Sequence, residues 1–200
     1  AVAGGAAQPV EETGEMPSWG DGGVVVQVRG NDLWIGTAEG RNARLLATPD
    51  TAAGVFALKW PHVLPGGEHA LVTMDRAQSG SVPDSLRLGA ISLKDGTVSD
   101  LNIPGTDAKY VATGHIVFGR GGGLVFAAPF ALKSRTVTGP PTLLVESVWQ
   151  GSGGATSFAV ADNGTLVYQE STVRMLESEL TVVTADGGER KIPIPGADYS

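Results

Sequence analysis

Short apolar runs separated by glycine-containing turns recur along almost the whole chain. Runs of this length that are rich in Val, Ile, Leu and Thr predict β-strands. No window of about 12 residues has the apolar spacing of an amphipathic helix. In Leu33-Trp34-Ile35 both faces of a predicted strand carry bulky side chains, which is typical of a sheet covered on both sides. The pattern therefore predicts an all-β protein.

The runs place the predicted strands at residues 24–29, 33–38, 43–47, 69–74, 87–93, 97–103, 116–120, 124–130, 142–145, 165–170, 179–185 and 190–194. Between them lie turn sequences such as Asp95-Gly96, a dipeptide that favours tight hairpins. The strands come in pairs, and two pairs make a unit of about 40–50 residues, a length typical of propeller blades.

An aromatic residue opens each unit, at intervals of 41, 50, 48 and 41 residues: Trp19, Trp60, Tyr110, Phe158 and Tyr199. After each of the first four comes a turn with a glycine, which permits the positive backbone angles of tight hairpins, and then an apolar run: Gly22, Gly66, Gly114 and Gly164. A ring at a fixed place in each unit is expected to fill the wedge between neighbouring sheets.

These units predict a β-propeller of four-stranded antiparallel blades, with about four blades in this chain. The predicted blades cover residues 17–57, 58–107, 108–155 and 156–197. Residues 1–16 are interpreted as a tail or the end of a preceding blade, and residues 198–200 as the start of another. We therefore expect a parent ring of six to eight blades, and we expect the isolated chain to associate through its uncovered blade faces.

Composition narrows the possible partners. The formal net charge of −7 argues against long-range attraction to nucleic acid or to an anionic membrane surface. The absence of cysteine excludes disulfides, thiolate catalysis and cysteine-ligated zinc. No apolar run approaches the roughly 18 residues of a membrane span, so we expect no membrane insertion.

A resemblance to a known family runs in order along residues 17–199. It begins at Trp60-Pro-His-Val-Leu-Pro-Gly-Gly and continues through Ile91-Ser-Leu-Lys-Asp-Gly-Thr, Tyr110-Val-Ala-Thr-Gly-His, Val137-Thr-Gly-Pro-Pro and Phe158-Ala-Val-Ala-Asp-Asn-Gly. The chain resembles the TolB-like, WD-repeat-like propellers at the carboxyl end of bacterial transmembrane serine/threonine protein kinases. The Ser-Pro-Asp-Gly turn of these repeats is present only in altered forms, such as Ala161-Asp162-Asn163-Gly164.

This resemblance implies a periplasmic or extracytoplasmic sensor with no catalytic function of its own. Such a module would recognise a protein, peptide or envelope ligand through its loops, and the remaining blades of the propeller would be its other partners. Two alternatives stay open. The propeller could gate substrate access in a prolyl oligopeptidase-like serine peptidase, or it could be a stand-alone TolB-like periplasmic scaffold.

Two glycine-rich segments approach catalytic motifs without matching them. The run Gly119-Arg120-Gly121-Gly122-Gly123 lacks the spacing and the following helix of a phosphate-binding loop, and it predicts a hairpin turn. In Gln150-Gly151-Ser152-Gly153-Gly154, glutamine stands where the serine-hydrolase elbow has its first glycine, so an inter-blade loop is the favoured interpretation. The segment Asp162-Asn163-Gly164 is too short for an EF-hand calcium loop.

The polar residues likewise predict no catalytic centre and no cofactor. His62, His69 and His115 lack metal-ligand spacing, although His62 and His115 are placed to orient loops and to contact a ligand. Trp149, beside a flexible glycine-rich segment, is the better candidate for an exposed contact than Trp34, which lies within a strand. The carboxylates are interpreted as solvated turn residues, the alternative being a glycosidase-like pair: Asp75, Asp84, Asp95, Asp100 and Asp107.

Overall fold

The computed structural model describes residues 14–37, 42–78, 85–171, 180–183 and 189–192. Its first sheet is antiparallel and contains, in spatial order, β1 (Glu15–Trp19), β2 (Val24–Arg29), β3 (Asp32–Thr37) and β4 (Arg44–Ala47). The second sheet repeats this order with β5 (Ala57–Val63), β6 (His69–Asp75), β7 (Leu86–Ser92) and β8 (Val98–Pro104). Each is an antiparallel meander of four strands.

The third sheet follows the same plan with a divided outer edge. It contains β9 (Thr106–Val111), β10 (His115–Arg120) and β11 (Leu124–Ala131), and both β12 (Thr136–Val137) and β13 (Thr142–Val145) pair with β11. Two further antiparallel pairs follow, β14 (Phe158–Val160) with β15 (Leu166–Tyr168), and β16 (Leu180–Val183) with β17 (Glu189–Ile192). Three 3-10 turns complete the described elements: Asp21–Gly23, Thr51–Ala53 and Ser152–Gly154.

Apolar clusters between successive sheets hold the units together. Along β6, Val72 and Met74 pack into a cluster shared with the first sheet, whereas Leu71 packs into a cluster shared with the third. A third cluster joins Val117 and Val125 to the β14–β15 pair. Each fully buried aliphatic side chain contributes roughly 1.5–3 kcal/mol. The middle sheets are therefore buried on both faces, as expected for blades stacked side by side.

The first strand of each of the first four sheets was missing from the strand prediction. These strands, β1, β5, β9 and β14, contain or adjoin the repeated aromatics, and β5 lies beside both β1 and β9. The pairing of β1, β5 and β9 with the next strand shifts register at a bulge. Within each bulge one residue that is not glycine has a positive φ: Met16 at 52°, Trp60 at 45° and Asp107 at 51°. A bulge breaks the period-two alternation on which strand prediction depends.

The register also shows that the repeated aromatics are not equivalent. Trp19 pairs with Val25, the second residue of β2, whereas Val63 holds that place in β5, and Tyr110 holds it in β9. Trp60 lies three residues earlier, on the bulge, and is 8% exposed, while Trp19 is 56% exposed. Trp60 is therefore buried as expected, and Trp19 is not buried against a neighbouring sheet in this chain. Tyr199, residues 1–13 and residues 198–200 lie outside the described residues.

The four repeat glycines occupy the turns for a conformational reason. Gly22, Gly66, Gly114 and Gly164 have φ values of 71°, 93°, 81° and 86°. A Cβ atom on any of them would meet no atom within 4 Å. Space is therefore available at all four positions, and the left-handed backbone conformation is what favours glycine there.

Candidate functional site

Alternate turns of the meanders gather at one end of the sheets. This end carries the β1–β2 turn (20–23), the β5–β6 turn (64–68), the β7–β8 turn (93–97), the β9–β10 turn (112–114) and the β11–β12 turn (132–135), and we call it the turn face. Binding residues in proteins are concentrated on loops that a rigid scaffold positions. We therefore expect a partner site on the turn face.

Two grooves cross the turn face and meet at the β5–β6 turn. Groove A, of about 470 Å³, separates the first and second sheets and is lined by Ile35, Gly67, Glu68, His69, Ser92, Leu93 and Lys94. Groove B, of about 290 Å³, separates the second and third sheets and is lined by Leu64, Pro65, Glu68, His69, Leu132, Lys133 and Arg135. Glu68 and His69 border both grooves, so the two form a continuous depression across three sheets.

The β5–β6 turn that divides the grooves is held by hydrogen bonds to the first sheet and within its own sheet. Gly66 donates its backbone N–H to Asp21 Oδ2 of the first sheet at 2.8 Å. Within the second sheet, Leu93 donates its N–H to the Glu68 carbonyl oxygen at 2.9 Å, and Gly67 donates to Leu64 at 3.1 Å. The Leu64 side chain is 2% exposed and anchors the turn in the core. The shared wall of both grooves is thus fixed before any partner binds.

The β11–β12 turn, which forms the far wall of groove B, is also closed by hydrogen bonds. The N–H of Arg135 donates to the Ala131 carbonyl oxygen at 2.8 Å, and Arg135 has a φ of 55°. The hydroxyls of Ser134 and Thr136 lie 2.7 Å apart. The Arg135 guanidinium donates from Nη1 to the carbonyl oxygen of Lys133 at 3.0 Å. These contacts order the backbone that carries Lys133 and Arg135 along one edge of the groove.

His62 serves a junction between sheets. Its ring is largely buried and hydrogen-bonds with the backbone of Tyr110 in the third sheet, and Lys109 lies near it. Burial, with a smaller effect from the Lys109 charge, lowers the pKa of His62 from 6.5 to about 4, although the charge of Asp162 opposes this shift. The imidazole is therefore neutral at physiological pH and links two inner strands.

His115 and Trp149, the other two predicted contact residues, lie apart from the grooves. The His115 Nδ1 atom lies 3.1 Å from the carbonyl oxygen and 3.3 Å from the hydroxyl of Thr113, so this ring orders its own β9–β10 turn. Trp149 is 46% exposed and its ring covers Gly151. By contrast, Trp34 is partly buried beneath the Arg29 guanidinium, whose central carbon is 4.5 Å from the ring centre.

Three of the five aspartates are not the solvated turn residues that the sequence suggested. Asp75 is 3% exposed and accepts from Lys59 Nζ at 2.6 Å, and Asp107 is 9% exposed with Lys109 Nζ 2.7 Å away. Both lie on inner strands of blades, where neighbouring sheets cover them. Asp100, on a partly exposed outer strand, accepts from Arg76 and Arg87 at 3.2 Å each.

Asp95 is the aspartate that the structure shows in a solvated turn. The Asp95 carboxylate is fully exposed, and a hydrogen bond from the backbone N–H of Thr97 is the main cause of its lowered pKa. Asp84 lies outside the described residues. Across the part of the chain that the structure describes, no three His, Asp or Glu side chains are grouped to hold a metal ion.

The two glycine-rich segments form turns and loops in the structure. Gly121, Gly122 and Gly123 make the hairpin between β10 and β11, and the Gly123 carbonyl oxygen accepts from the N–H of Val148 at 2.8 Å. The segment 150–154 leads through a 3-10 turn into the bridge at Thr156, and no α-helix follows within residues 155–171. Neither segment has the strand–turn–helix setting of a phosphate loop or a nucleophile elbow.

The geometry of stacked four-stranded sheets has counterparts among solved structures. The chain is similar to the tricorn protease, with 14% identity, a TM-score of 0.50, and coverage of 88% of this chain and 15% of that one. It is also similar to a chain of a nidogen–laminin complex, with 10% identity, a TM-score of 0.53, and coverage of 77% and 54%. A third similarity is to TolB from Acinetobacter baumannii, with 16% identity, a TM-score of 0.49, and coverage of 78% and 40%.

The fold is a β-propeller. The prediction of a β-propeller built from four-stranded antiparallel blades is thereby confirmed. No protein-family model matches the chain, and no curated protein matches its sequence. The chain spans only 15% and 54% of the first two structures that it resembles. In the described ranges, no helix of this propeller has the length and apolar character needed to cross a membrane.

Proposed function

We propose that this chain is a non-catalytic binding module whose turn face recognises a protein, a peptide or an envelope ligand. The observation that carries the proposal is the pair of grooves whose dividing wall, the β5–β6 turn, is fixed by hydrogen bonds from two sheets. A wall that is ordered in advance lowers the entropic cost of binding. Interface grooves of this kind need no nucleophile or metal.

A protein partner has some independent support. One of the similar structures is a complex between nidogen and laminin, so a propeller of this shape has been found in a protein–protein complex. The depression formed by grooves A and B crosses three sheets, which suits an extended or irregular protein surface better than a small molecule. We accordingly propose a protein or peptide ligand in preference to a sugar or a nucleotide.

Within this binding role, we propose an extracytoplasmic or periplasmic sensor belonging to a bacterial receptor-type serine/threonine kinase. The support is the ordered resemblance that extends from Trp60-Pro-His-Val through Phe158-Ala-Val-Ala. In such a receptor the ligand would bind the turn face, and signalling chemistry would belong to a kinase domain on another part of the protein.

The reading frame around the chain tests the sensor role. We expect a kinase domain, with its glycine-rich loop, strand lysine and His-Arg-Asp loop, followed by a membrane helix, upstream of Ala1. A serine-hydrolase elbow downstream of Ser200 would overturn the sensor role and make the propeller a gate for a peptidase. A signal peptide with no further domain would overturn it in favour of a scaffold.

A further inference from the structure

Groove B has a mixed lining, in which two apolar side chains lie beside a cationic edge. Pro65, which is exposed, and Leu132, which is partly buried, supply its apolar surface above the buried Leu64, while Lys133 and Arg135 lie on one side and Glu68 on the other. Lys133 and Glu68 are exposed to solvent, and Arg135 is partly exposed. A ligand side chain that fills this groove would therefore be apolar, with the cations Lys133 and Arg135 on one side of it and the Glu68 carboxylate on the other.

The cations of the turn face differ from those on the strands. In the second and third sheets, four basic side chains form ion pairs with aspartates: Lys59, Arg76, Arg87 and Lys109. In the part of the chain described, no carboxylate comes within 4.0 Å of the Lys94, Lys133 or Arg135 side-chain nitrogens. These four cations are neutralised within the fold, whereas Lys133 and Arg135 remain available to an external anion.

The cationic edge formed by Lys133 and Arg135 has the opposite sign to the net charge of the molecule. The formal net charge is −7, so basic groups without acidic partners are not what the average surface provides. The backbone of the 132–135 turn is closed by the hydrogen bond from Arg135 to Ala131, which keeps the two cations on one edge. Opposite charge placed at fixed positions contributes to specificity and to the rate of encounter more than to affinity.

We infer that groove B binds an acidic segment of a partner protein, in which carboxylates flank a single apolar side chain. The apolar side chain would lie against Pro65 and Leu132. The carboxylates would approach Lys133 and Arg135, and they would avoid Glu68. The inference rests on the proposed binding function and adds the chemical class of the ligand.

The probe for this inference is a short fluorescein-labelled peptide with glutamates on both sides of a central leucine. Its binding to the full 200-residue chain is measured by fluorescence anisotropy at several salt concentrations. Matched peptides replace the glutamates with glutamine, or the leucine with glycine. We expect both replacements to weaken binding, and we expect the affinity of the parent peptide to fall as ionic strength rises.

Substitutions in the chain locate the peptide. An exposed charge pair changes an equilibrium constant by about 1.4- to fivefold, so K133Q and R135Q together are expected to weaken binding about two- to 25-fold. The variant E68Q removes a repulsive carboxylate and is expected to strengthen binding about two- to fivefold. The matched control is the R76Q/R87Q double variant, which also removes two positive charges but away from the turn face, and it is expected to alter the affinity less than twofold.

Three results would overturn the inference: equal binding of the glutamine peptide, equal binding by the K133Q/R135Q variant, or binding of phosphatidylserine vesicles in preference to the peptide. The substituted side chains are at least partly exposed, so the variants are expected to keep the fold. Thermal unfolding of each variant checks this. Failure of the peptide experiment refutes the acidic ligand and leaves the binding role standing. Failure of the sensor role shows instead in the flanking reading frame, whatever the peptide does.

Discussion

The hydroxyl of Ser18 accepts a hydrogen bond from the backbone N–H of Val63 at 2.9 Å, and it thereby joins the innermost strands of the first two blades. The register makes Ser18 in β1 equivalent to His62 in β5, since they pair with the third residue of the following strand, Val26 and Leu71. The His62 ring hydrogen-bonds with the backbone of Tyr110 in the third blade. One position of the repeat thus links two successive blade junctions.

Removing the first of these links should cost stability. In S18A the buried N–H of Val63 loses its partner, and an unsatisfied buried donor costs about 1–3 kcal/mol. The free energy of unfolding is measured by urea titration. The matched control is S134A, which removes a hydroxyl from an exposed turn and is expected to change stability by less than about 0.5 kcal/mol. Equal losses in both variants would show that Ser18 does not secure the junction.

The second link predicts a dependence of stability on pH. The folded state lowers the pKa of His62 from 6.5 to about 4, so the unfolded chain binds a proton more readily between these values. The stability associated with neutral His62 is present above pH 6.5 and is lost as the pH falls toward 4, by up to about 3 kcal/mol.

The comparison with H62Q separates this effect from the titration of the carboxylates. Urea unfolding of both proteins at pH 7.5 and at pH 4.5 gives the loss of stability in each. We expect a smaller loss in H62Q, because glutamine does not bind a proton in this range. An identical loss in the two proteins would contradict the role assigned to His62.

Asp107 predicts a dependence of stability on pH that is opposite to that of His62: its contribution falls as the pH rises. Burial raises the pKa of its carboxyl group, against the effect of Lys109, so the stability contributed by this group declines as the pH rises through the raised pKa. In D107N the side chain stays neutral, and asparagine tolerates the φ of 51°. We expect D107N to be more stable at pH 7 by a few tenths to about 1 kcal/mol.

The control at this position is D107V, which is also neutral but places a β-branched residue at positive φ. We expect it to be destabilised by about 1–3 kcal/mol, because the left-handed backbone conformation is strained for valine. Thermal unfolding distinguishes the two variants. If D107N and D107V were destabilised alike, the carboxylate itself would be needed for the fold.

The outer face of the first blade predicts self-association. Trp19 is 56% exposed and Leu45 is 45% exposed. Large apolar groups on the face of a sheet favour pairing with another molecule. Sedimentation velocity of the isolated chain should show concentration-dependent association, and W19E with L45E should raise the dissociation constant at least about tenfold. A monodisperse monomer with cooperative unfolding would contradict this prediction.

Much of the fold was accessible from local patterns. The predicted strands 24–29 and 142–145 coincide with β2 and β13, and the predicted strand 116–120 differs from β10 by one residue. What the pattern did not show were the innermost strands, because bulges at Met16, Trp60 and Asp107 interrupt the alternation. Four of the aromatics that marked the repeat, Trp19, Trp60, Tyr110 and Phe158, lie in the innermost strands β1, β5, β9 and β14, and they therefore fall outside the strands that the pattern predicted.

The grooves could not be predicted from local sequence patterns. Groove B unites the 64–69 and 132–135 segments, which come together only when the second and third blades stack. Neither segment carries a motif, and the availability of Lys133 depends on which carboxylates lie within reach. His62 was singled out by its place after Trp60, but its contact with the Tyr110 backbone requires the neighbouring blade.

Hydrogen–deuterium exchange of the full chain, with and without the glutamate–leucine peptide, tests the central claim that the turn face is the binding surface. The account predicts slower exchange in residues 64–69 and 131–137 on addition of the peptide, with no change in residues 48–56 at the opposite end of the blades. Protection confined to residues 48–56 and 76–78, with none in the grooves, would contradict it.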